Sequence, residues 1–302
     1  MSDSIRLGID LGGTKIEIIA MDARGEVLLR HRVNTPQDDY EGTLDAIRGL
    51  VVLAESEVGC TGTVGIGTPG AISPATGLLK NSNSVCLNGM PLKEDLEHRL
   101  GREVRIANDA NCFALSEAVD GAAEGADIVF GVIIGTGTGA GIVVRQHVLT
   151  GPNAIAGEWG HNPLPWPEES ELPGPDCYCG RQGCIETWLS GPGMERDHQQ
   201  VTGQTMSTHD IVLRAASGDA DCDATLRRYE RRLARGLAHI INVLDPDVIV
   251  LGGGMGNIER LYTHVPMLWS EWVFWDHVAT QLLPPMHGDS SGVRGAAWLW
   301  ND

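Results

Sequence analysis

Gly8-Ile9-Asp10-Leu11-Gly12-Gly13-Thr14-Lys15 is the stretch that decides the fold. An apolar segment leads into it from Arg6, its glycines form a tight turn, and a second apolar segment runs from Ile16 to Met21. After the turn at 22–25, a third segment covers Val27 to Val33. Alternating apolar residues between glycine turns predict an antiparallel meander of three strands.

Helices and strands alternate after this meander. Apolar residues recur at helical spacing from Leu44 to Val58, and Gly59 is expected to end that helix. Short buried strands are predicted at Thr63–Gly67 and at Val104–Ala107, the latter followed by a helix to Val119. This alternation predicts an α/β fold with a largely parallel or mixed sheet.

The second half of the chain repeats the order of the first. Ile128 to Ile134 is apolar, Gly135 to Gly141 is rich in glycine and threonine, and Ile142 to Val144 continues as a strand. A helix over about 224–244 and a buried strand at Val248–Leu251 follow. An echo over about 120 residues indicates a duplicated domain rather than a solenoid. We therefore predict two domains that face each other across a cleft, a smaller one over 1–119 and a larger one over 120–289.

Composition excludes several classes of function. The chain has 302 residues, with 40 acidic against 22 basic residues and a net charge of −18. That charge repels nucleic acid and anionic lipid, so neither is expected as a partner. The N-terminal residues lack the pattern of a signal peptide, and no apolar run approaches the roughly 20 residues of a membrane helix. A cytoplasmic protein is predicted.

The first glycine turn is a candidate phosphate site. Its glycines let backbone N–H groups approach an anion, while the side chains after them add donors. Asp10 at the strand end is suited to Mg²⁺. The residues proposed for this site are Asp10, Gly12, Gly13, Thr14 and Lys15. A plain hairpin turn is the alternative interpretation.

Two further glycine segments extend the nucleotide-site hypothesis. The turn that begins at Gly135 lies at the equivalent place in the second half, and the two turns together could hold the β- and γ-phosphates of a nucleotide. Gly252-Gly253-Gly254 follows a buried strand and suits the flat adenine and ribose, with a simple strand-to-helix turn as the alternative. The residues proposed in the second half are Gly135, Thr136, Gly137, Thr138, Gly252, Gly253 and Gly254.

A metal site is predicted between residues 161 and 184. One histidine and three clustered cysteines have the types and spacing of a closed tetrahedral zinc site: His161, Cys177, Cys179 and Cys184. Protein fills all four positions, so the zinc would be structural. Glu158 and Glu186 lie within three residues of a ligand, so the metal would fix their positions. Solvated surface acids are the alternative interpretation for these two.

Asp109 is the candidate general base. It follows a strand, opens a helix and lies where the first domain ends. Asn108 and Asn111 flank it with amides that can bond hydroxyl groups. A phosphoryl donor needs an acceptor. In phosphoryl transfer to a hydroxyl group, a carboxylate commonly accepts the hydroxyl proton. The alternative for Asp109 is a helix N-cap.

These motifs together resemble the ROK sugar kinases of the actin/hexokinase superfamily. The stretch from Gly8 to Lys15 resembles the first phosphate loop of the family, Asn108 to Asn111 its catalytic segment, and Gly135 to Gly139 its second phosphate loop. Gly157 to His161 with Cys177 to Glu186 is similar to the signature around the zinc. The resemblance covers nearly the whole chain. It implies a duplicated, ribonuclease H-like two-domain fold, with residues 290–302 returning to complete the first domain.

The resemblance also implies an activity. It predicts ATP- and Mg²⁺-dependent phosphorylation of a hexose with Asp109 as base. Segments 120–123 and 160–166 look most like the bacterial fructokinase branch, so fructose at its 6-hydroxyl is the expected substrate, with mannose also accepted. The residues implied to bond the sugar are Gly70, Asn83, Asn108, Glu158, His161 and Glu186. His161 would then use one nitrogen for zinc and the other for the sugar.

Other functions stay open at this point. Glucose, N-acetylglucosamine or N-acetylmannosamine could be the sugar, because a few hydrogen bonds separate these substrates. A sugar-sensing ROK repressor is the rival from another class, but the first strand begins by residue 5 and no DNA-binding motif is expected before it. Trp269, Trp272 and Trp275 are spaced as one helix face, which favours a helix core or a subunit interface over a ligand platform. Because members of the family that the chain resembles often form dimers, the resemblance implies an interface and a homodimer.

Overall fold

The computed structural model describes residues 5–82 and 84–301. Its contacts divide the described chain into two compact units. Unit 1 is formed from Met1–Gly125, Gly141–Ala156 and Met286–Asp302, and unit 2 from Ala126–Ala140 and Gly157–Pro285. The domain boundaries expected from the sequence, at 119/120 and 289/290, stay a prediction.

The sheet of unit 1 has five strands. Its order is β3-β2-β1-β4-β7. The first three strands form the predicted antiparallel meander, and β1, β4 and β7 pair in parallel. The strands of this sheet are β1 (Ile5–Leu11), β2 (Lys15–Met21), β3 (Val27–Asn34), β4 (Gly62–Thr68) and β7 (Val104–Asn108). A separate antiparallel pair is formed by β5 (Ala71–Ile72) and β6 (Leu79–Lys80).

Side chains set the ends of the unit 1 helices. The helix predicted from Leu44 begins earlier, at Tyr40, because the Asp39 carboxylate accepts the N–H of Gly42 and caps it. It ends as predicted at Gly59, which adopts the left-handed conformation. The helices of the first 119 residues are α1 (Tyr40–Val58), α2 (Leu92–Leu100) and α3 (Asp109–Val119). The apolar face of α1 packs into the core that β1, β2 and β4 also line.

A helix from the C-terminal segment completes unit 1. This helix, α9 (Ser291–Trp298), packs against α3, β1 and β4. The approach is so close that a Cβ on Gly65 would lie 1.8 Å from the carbonyl oxygen of Ala296. Gly65 therefore allows the close contact between the strand and the helix, because it has no side chain.

The second sheet has the order β10-β9-β8-β11-β12. Its members are β8 (Ile128–Ile134), β9 (Thr138–Val144), β10 (His147–Val148), β11 (Val248–Gly252) and β12 (Gln281–Leu283). Strands β8, β11 and β12 are parallel, and β9 and β10 are antiparallel. The glycine-rich turn is shorter than predicted, because β9 already begins at Thr138.

The helices of unit 2 cover one long and several short segments. They are α4 (Ile185–Leu189), α5 (Gly191–Thr202), α6 (Thr208–Ala216), α7 (Ala220–Leu244) and α8 (Leu261–Trp269). The long helix α7 begins before the predicted residue 224 because the Asp219 carboxylate accepts the N–H groups of Asp221 and Cys222.

The prediction that three tryptophans share one helix face is wrong. The helix α8 ends at Trp269, which is buried, and Trp272 and Trp275 lie beyond it. The side-chain amide of Asn242 donates to the carbonyl of Trp272 and accepts the N–H of Phe274. These bonds satisfy backbone polar groups in a segment that is not helical. The three tryptophans therefore do not share one helix face.

The α/β fold with mixed sheets is confirmed. Among the described residues, none of the helices combines the length and the apolar character needed to span a membrane.

Candidate active site

The first glycine turn in unit 1 is held by residues that follow β3. Thr35 donates its hydroxyl to the carbonyl of Gly12 at 2.7 Å, and its N–H bonds the carbonyl of Thr14 at 3.0 Å. Gln37 donates its amide to the carbonyl of Gly13 at 2.9 Å. Because Thr35 and Gln37 donate hydrogen bonds to these three carbonyl groups, the conformation of the turn is already fixed by the protein.

Asp10 and Asp109 interact electrostatically in unit 1. Burial, together with the charges of Asp109 and Glu17, raises the pKa of Asp10 to about 6. Like charges held near each other favour either a shared proton or a bound cation. Carboxylate oxygens are ligands that Mg²⁺ prefers, so the donor set at Asp10 fits this ion.

Asn108 takes the capping position at the start of α3. Its side-chain oxygen accepts the N–H of Ala110 at 2.9 Å, and its amide donates to the carbonyl of Gly70 at 3.1 Å. Asp109 is therefore the first residue of the helix rather than its N-cap. Two predicted sugar contacts, Asn108 and Gly70, are thus hydrogen-bonded to each other. A third, Asn83, lies outside the described residues.

The second glycine turn lies in unit 2 at Gly135–Gly137. The N–H of Gly135 bonds the carbonyl of Gly137 at 2.9 Å, and the carbonyl of Gly135 accepts the N–H of Gly191 at 2.8 Å. The next residue, Thr138, donates its backbone N–H to the Glu186 carboxylate at 2.9 Å. Its hydroxyl is buried and has no hydrogen-bond partner among the described residues. A buried donor of this kind is typical of a place where a ligand binds.

A cavity of about 590 Å³ opens beside this turn. That volume is in the range of small-ligand sites. Gly135 and Thr136 line one part of it and Gly254 another, so two of the predicted nucleotide segments meet at one cavity. Gly252 and Gly253 do not line the cavity. Gly253 adopts a positive φ of 76°, and a Cβ there would lie 2.4 Å from the carbonyl oxygen of Ile134, so this glycine serves backbone packing.

Residues from α5 and α6 complete the cavity and were missed from the sequence. The Glu195 carboxylate accepts the N–H of Thr208 at 2.8 Å and the Thr208 hydroxyl at 3.1 Å, both through Oε1. The Thr208 hydroxyl also bonds the carbonyl of Gly191 at 3.1 Å. Glu195 is thereby fixed in the cavity wall. No sequence motif marks it, because its partners come from other elements.

The four predicted zinc ligands converge in unit 2. Their ligand atoms all lie within 4.8 Å of one another. Cys179 and Cys184 have their sulfurs 3.6 Å apart, and Cys177 Sγ lies 3.5 Å from His161 Nδ1. In a zinc tetrahedron with Zn–S bonds of about 2.3 Å, neighbouring sulfurs are about 3.8 Å apart. The donor set and its spacing therefore fit a structural zinc ion.

The other nitrogen of His161 faces a residue that the sequence did not single out. His161 Nε2 lies 2.9 Å from the hydroxyl of Tyr178. Burial, followed by the charges of Glu186, Cys177 and Glu158, raises the pKa of Tyr178 to about 12. A lone tyrosine between two cysteines has no spacing signal that could have identified it.

Two arginines of α7 bind Glu171, which lies in the segment just before the candidate zinc ligand Cys177. Glu171 is buried and accepts hydrogen bonds from Arg232 at 2.7 Å and from Arg235 at 2.7 and 2.8 Å. Burial opposes its ionisation, but these bonds outweigh burial and lower the pKa of Glu171 to about 2. The arginine-rich stretch of α7 is thus a salt-bridged face in which Arg232 and Arg235 are buried.

Comparison with known proteins identifies the family. A family model described as the ROK family matches residues 6–302. The chain therefore belongs to the ROK family. It resembles a ROK hexokinase from Thermus thermophilus with a TM-score of 0.86 and 32% identity, over 98% of this chain and 97% of that one. It also resembles a ROK glucokinase from Streptomyces griseus in complex with glucose and AMPPNP, with a TM-score of 0.75 and 29% identity, over 97% and 98% of the two chains.

Curated relatives of this chain are named for a particular sugar substrate. An N-acetyl-D-glucosamine kinase of Photobacterium profundum is 42% identical over 296 residues, 97% of this chain and 98% of the relative. One from Vibrio parahaemolyticus is 40% identical over 298 residues, again 97% and 98%. The expected membership of the fructokinase branch is therefore not supported. The comparisons favour an alternative that the sequence left open, a kinase of N-acetylglucosamine.

Proposed function

We propose that this chain is an ATP-dependent kinase that phosphorylates the 6-hydroxyl of N-acetyl-D-glucosamine. The observation that carries the choice of sugar is the 42% identity, over nearly the full length, to a kinase of that name. The crystallised glucokinase with AMPPNP supports ATP as the donor. The cavity beside Gly135 and Gly254 supports a nucleotide site in unit 2.

In this proposal, Asp109 is the general base. It would accept the proton of the sugar hydroxyl as the phosphoryl group is transferred. Asp10 would hold Mg²⁺, which neutralises charge on the phosphates when it is bound. The backbone N–H groups of each glycine turn are candidates for binding phosphate oxygens, together with the side chains of Thr14, Lys15 and Thr136.

Glu158 and Glu186 would act as acceptors for sugar hydroxyls. The resemblance to the family implies further sugar contacts at Gly70, Asn83 and Asn108. The zinc would be structural, because four protein ligands leave no open position for chemistry. Glu195 would bind the hydroxyls of the ribose, since its carboxylate is fixed in the cavity wall by Thr208.

A coupled ADP-release assay across a sugar panel tests the proposal. N-Acetylglucosamine should give the highest kcat/KM, ahead of N-acetylmannosamine, glucose, mannose and fructose. The product should be the 6-phosphate by NMR. A higher kcat/KM for fructose would overturn the assignment of the sugar, and the absence of ADP release with every sugar would overturn the kinase function itself.

A further inference from the structure

The side chains that line the cavity of unit 2 suit an uncharged, flat group. Among the described residues that line it, none is a lysine or an arginine, and the one carboxylate is that of Glu195. Apolar side chains form another part of the lining, those of Pro192, Val212, Met255 and Ile258. These side chains do not attract phosphate groups, but they suit a base and its ribose. The nucleoside part of a phosphoryl donor is therefore the ligand that fits this lining.

Asn257 brings an uncommitted amide to the same cavity. It is exposed, and its side chain has no hydrogen-bond partner within the described part of the chain. By contrast, the side chains of Glu195 and Thr208 in the same lining bond each other. A free carboxamide offers an oxygen that accepts and an NH₂ group that donates, side by side. Asn257 can therefore bond two neighbouring atoms of a ligand at once.

The backbone that carries Asn257 is held in place. This residue ends a short 3-10 helix, in which the carbonyl of Gly256 accepts the Tyr262 hydroxyl at 2.6 Å. The N–H of Ile258 donates to the carbonyl of Met255 at 3.2 Å, and both of these side chains are buried. The amide of Asn257 is thus presented from a preorganised turn, between two apolar residues that also line the cavity.

Adenine presents two adjacent atoms that match a carboxamide. Its 6-amino group donates and the neighbouring N7 accepts, so one asparagine can bond both. Guanine presents O6 and N7 at this edge, and both are acceptors, so the same side chain can satisfy only one of them. His209 also lines the cavity, but an imidazole has its two nitrogens on different sides of the ring. It therefore cannot bond two neighbouring atoms of a base.

We propose that Asn257 is the base-reading residue of this chain: its side-chain oxygen accepts from the 6-amino group of adenine, and its NH₂ group donates to N7. Met255 and Ile258 contact the base beside it. This proposal rests on the proposed kinase function and adds to it the residue that selects the nucleoside triphosphate.

The test compares ATP, 7-deaza-ATP, purine riboside triphosphate and GTP as donors, with N-acetylglucosamine as the acceptor. The product is measured as sugar 6-phosphate by NMR, because the enzymes of a coupled assay have base preferences of their own. In kcat/KM, the wild type should prefer ATP over GTP by about tenfold or more. It should prefer ATP over the two analogues, which lack N7 or the 6-amino group, by about two- to tenfold each.

Two variants of Asn257 separate the two hydrogen bonds. Asn257→Ala should lower kcat/KM for ATP about tenfold and leave GTP within about twofold, so most of the preference is lost. Asn257→Asp keeps the acceptor and loses the donor. It should still prefer ATP over purine riboside triphosphate, but no longer over 7-deaza-ATP.

The matched control is Gln200→Ala, at an exposed amide of α5 that does not line the cavity, and it should keep the wild-type preferences. Because the Asn257 side chain makes no bond within the described chain, the Tm of its variants should stay within about 2 °C of the wild type.

Each outcome decides the proposal. An unchanged ATP-to-GTP ratio in folded Asn257→Ala, or a wild type that uses the donors equally, would overturn the base-reading role and leave the kinase function standing. An equal loss for all donors would indicate a purely structural effect and would also overturn that role. If no sugar 6-phosphate forms with any donor and any sugar, the kinase function itself is refuted, and the role of Asn257 with it.

Discussion

The Glu186 carboxylate accepts the backbone N–H of Thr138 through Oε2 at 2.9 Å. Glu186 is the second residue of α4, which begins after the proposed metal ligand Cys184, and Thr138 begins the strand after the second glycine turn. One hydrogen bond therefore links the helix that follows the candidate zinc ligand Cys184 to the glycine turn proposed to bind the phosphates. Since Glu186 is also a proposed sugar contact, sugar binding and nucleotide binding should be coupled through this pair.

Two substitutions at Glu186 separate its two roles. Glu186→Ala removes both the sugar contact and the bond to Thr138, so the KM for sugar and the KM for ATP should each rise about tenfold. Glu186→Gln keeps an oxygen for the Thr138 N–H, so it should raise mainly the sugar KM. Steady-state kinetics with each substrate varied in turn measures both. An unchanged ATP KM in Glu186→Ala would contradict the coupling.

Asp109→Asn tests the general base. The amide keeps the shape of the carboxylate but cannot take the proton, so kcat should fall about 10²- to 10⁴-fold while the sugar KM stays within about threefold. Glu103→Gln, at an exposed acid just before β7, is the control and should retain wild-type turnover. Turnover near that of the wild type in Asp109→Asn would exclude this residue as the base.

Glu195→Gln tests ribose recognition in the cavity of unit 2. If the carboxylate binds the ribose hydroxyls, the wild type should prefer ATP over 2′-deoxy-ATP or 3′-deoxy-ATP by about tenfold in kcat/KM. The variant should lose most of that preference, because an amide oxygen is a weaker acceptor. Glu259→Gln, another exposed acid of unit 2, should keep it. An undiminished preference in Glu195→Gln would place the ribose elsewhere.

Glu171→Gln tests whether the ion pairs of Glu171 with Arg232 and Arg235 stabilise the fold. We expect their contribution to the free energy of unfolding to depend on pH. The pKa of Glu171 is about 2 in the folded protein against an ordinary 4.5, so its ionised form stabilises the fold above pH 4.5. This contribution is lost as the pH falls from about 5 towards 2. Because the substitution leaves the buried Arg235 without its carboxylate and Arg232 with Asp197 as its remaining carboxylate partner, it should cost about 3 kcal/mol near pH 7.

Thermal unfolding of the wild type and Glu171→Gln at pH 7 and at pH 4 measures this effect. The difference in Tm between the two proteins should be several degrees at pH 7 and smaller at pH 4. Glu168→Gln, at an exposed acid of the same segment, should change Tm little at either pH. A difference that does not depend on pH would contradict the assigned pKa.

Metal removal tests the structural zinc. Metal analysis of the purified protein should find zinc, and its removal by a chelator should lower Tm and weaken sugar binding, because the proposed sugar contacts Glu158 and Glu186 would lose their fixed backbone. Nucleotide binding at the cavity should change less. The zinc-loaded protein, restored after chelation, serves as the control. Unchanged sugar affinity in verified metal-free protein would refute the link between the metal and the sugar site.

Tertiary contacts explain where prediction from the sequence failed. The spacing of Trp269, Trp272 and Trp275 fits a helix, but the amide of Asn242 holds the backbone after Trp269 in another course. The glycines after β11 are adjacent in sequence, yet Gly254 lines the cavity while Gly253 packs on Ile134. Neither distinction is present in local composition, because each depends on a partner distant in the chain.

The sequence by itself determined the meander around Asp10, the α/β class, the two glycine turns and the four clustered candidate metal ligands. These features follow from residue periodicity, turn chemistry and ligand type, all of which act within a few neighbouring residues. Only the tertiary structure decided that Tyr178 faces His161, that Glu195 and Thr208 form the cavity wall, and that Glu186 bonds Thr138. Those pairs form because packed helices and strands bring distant residues within hydrogen-bond distance, and a linear pattern does not encode such distances.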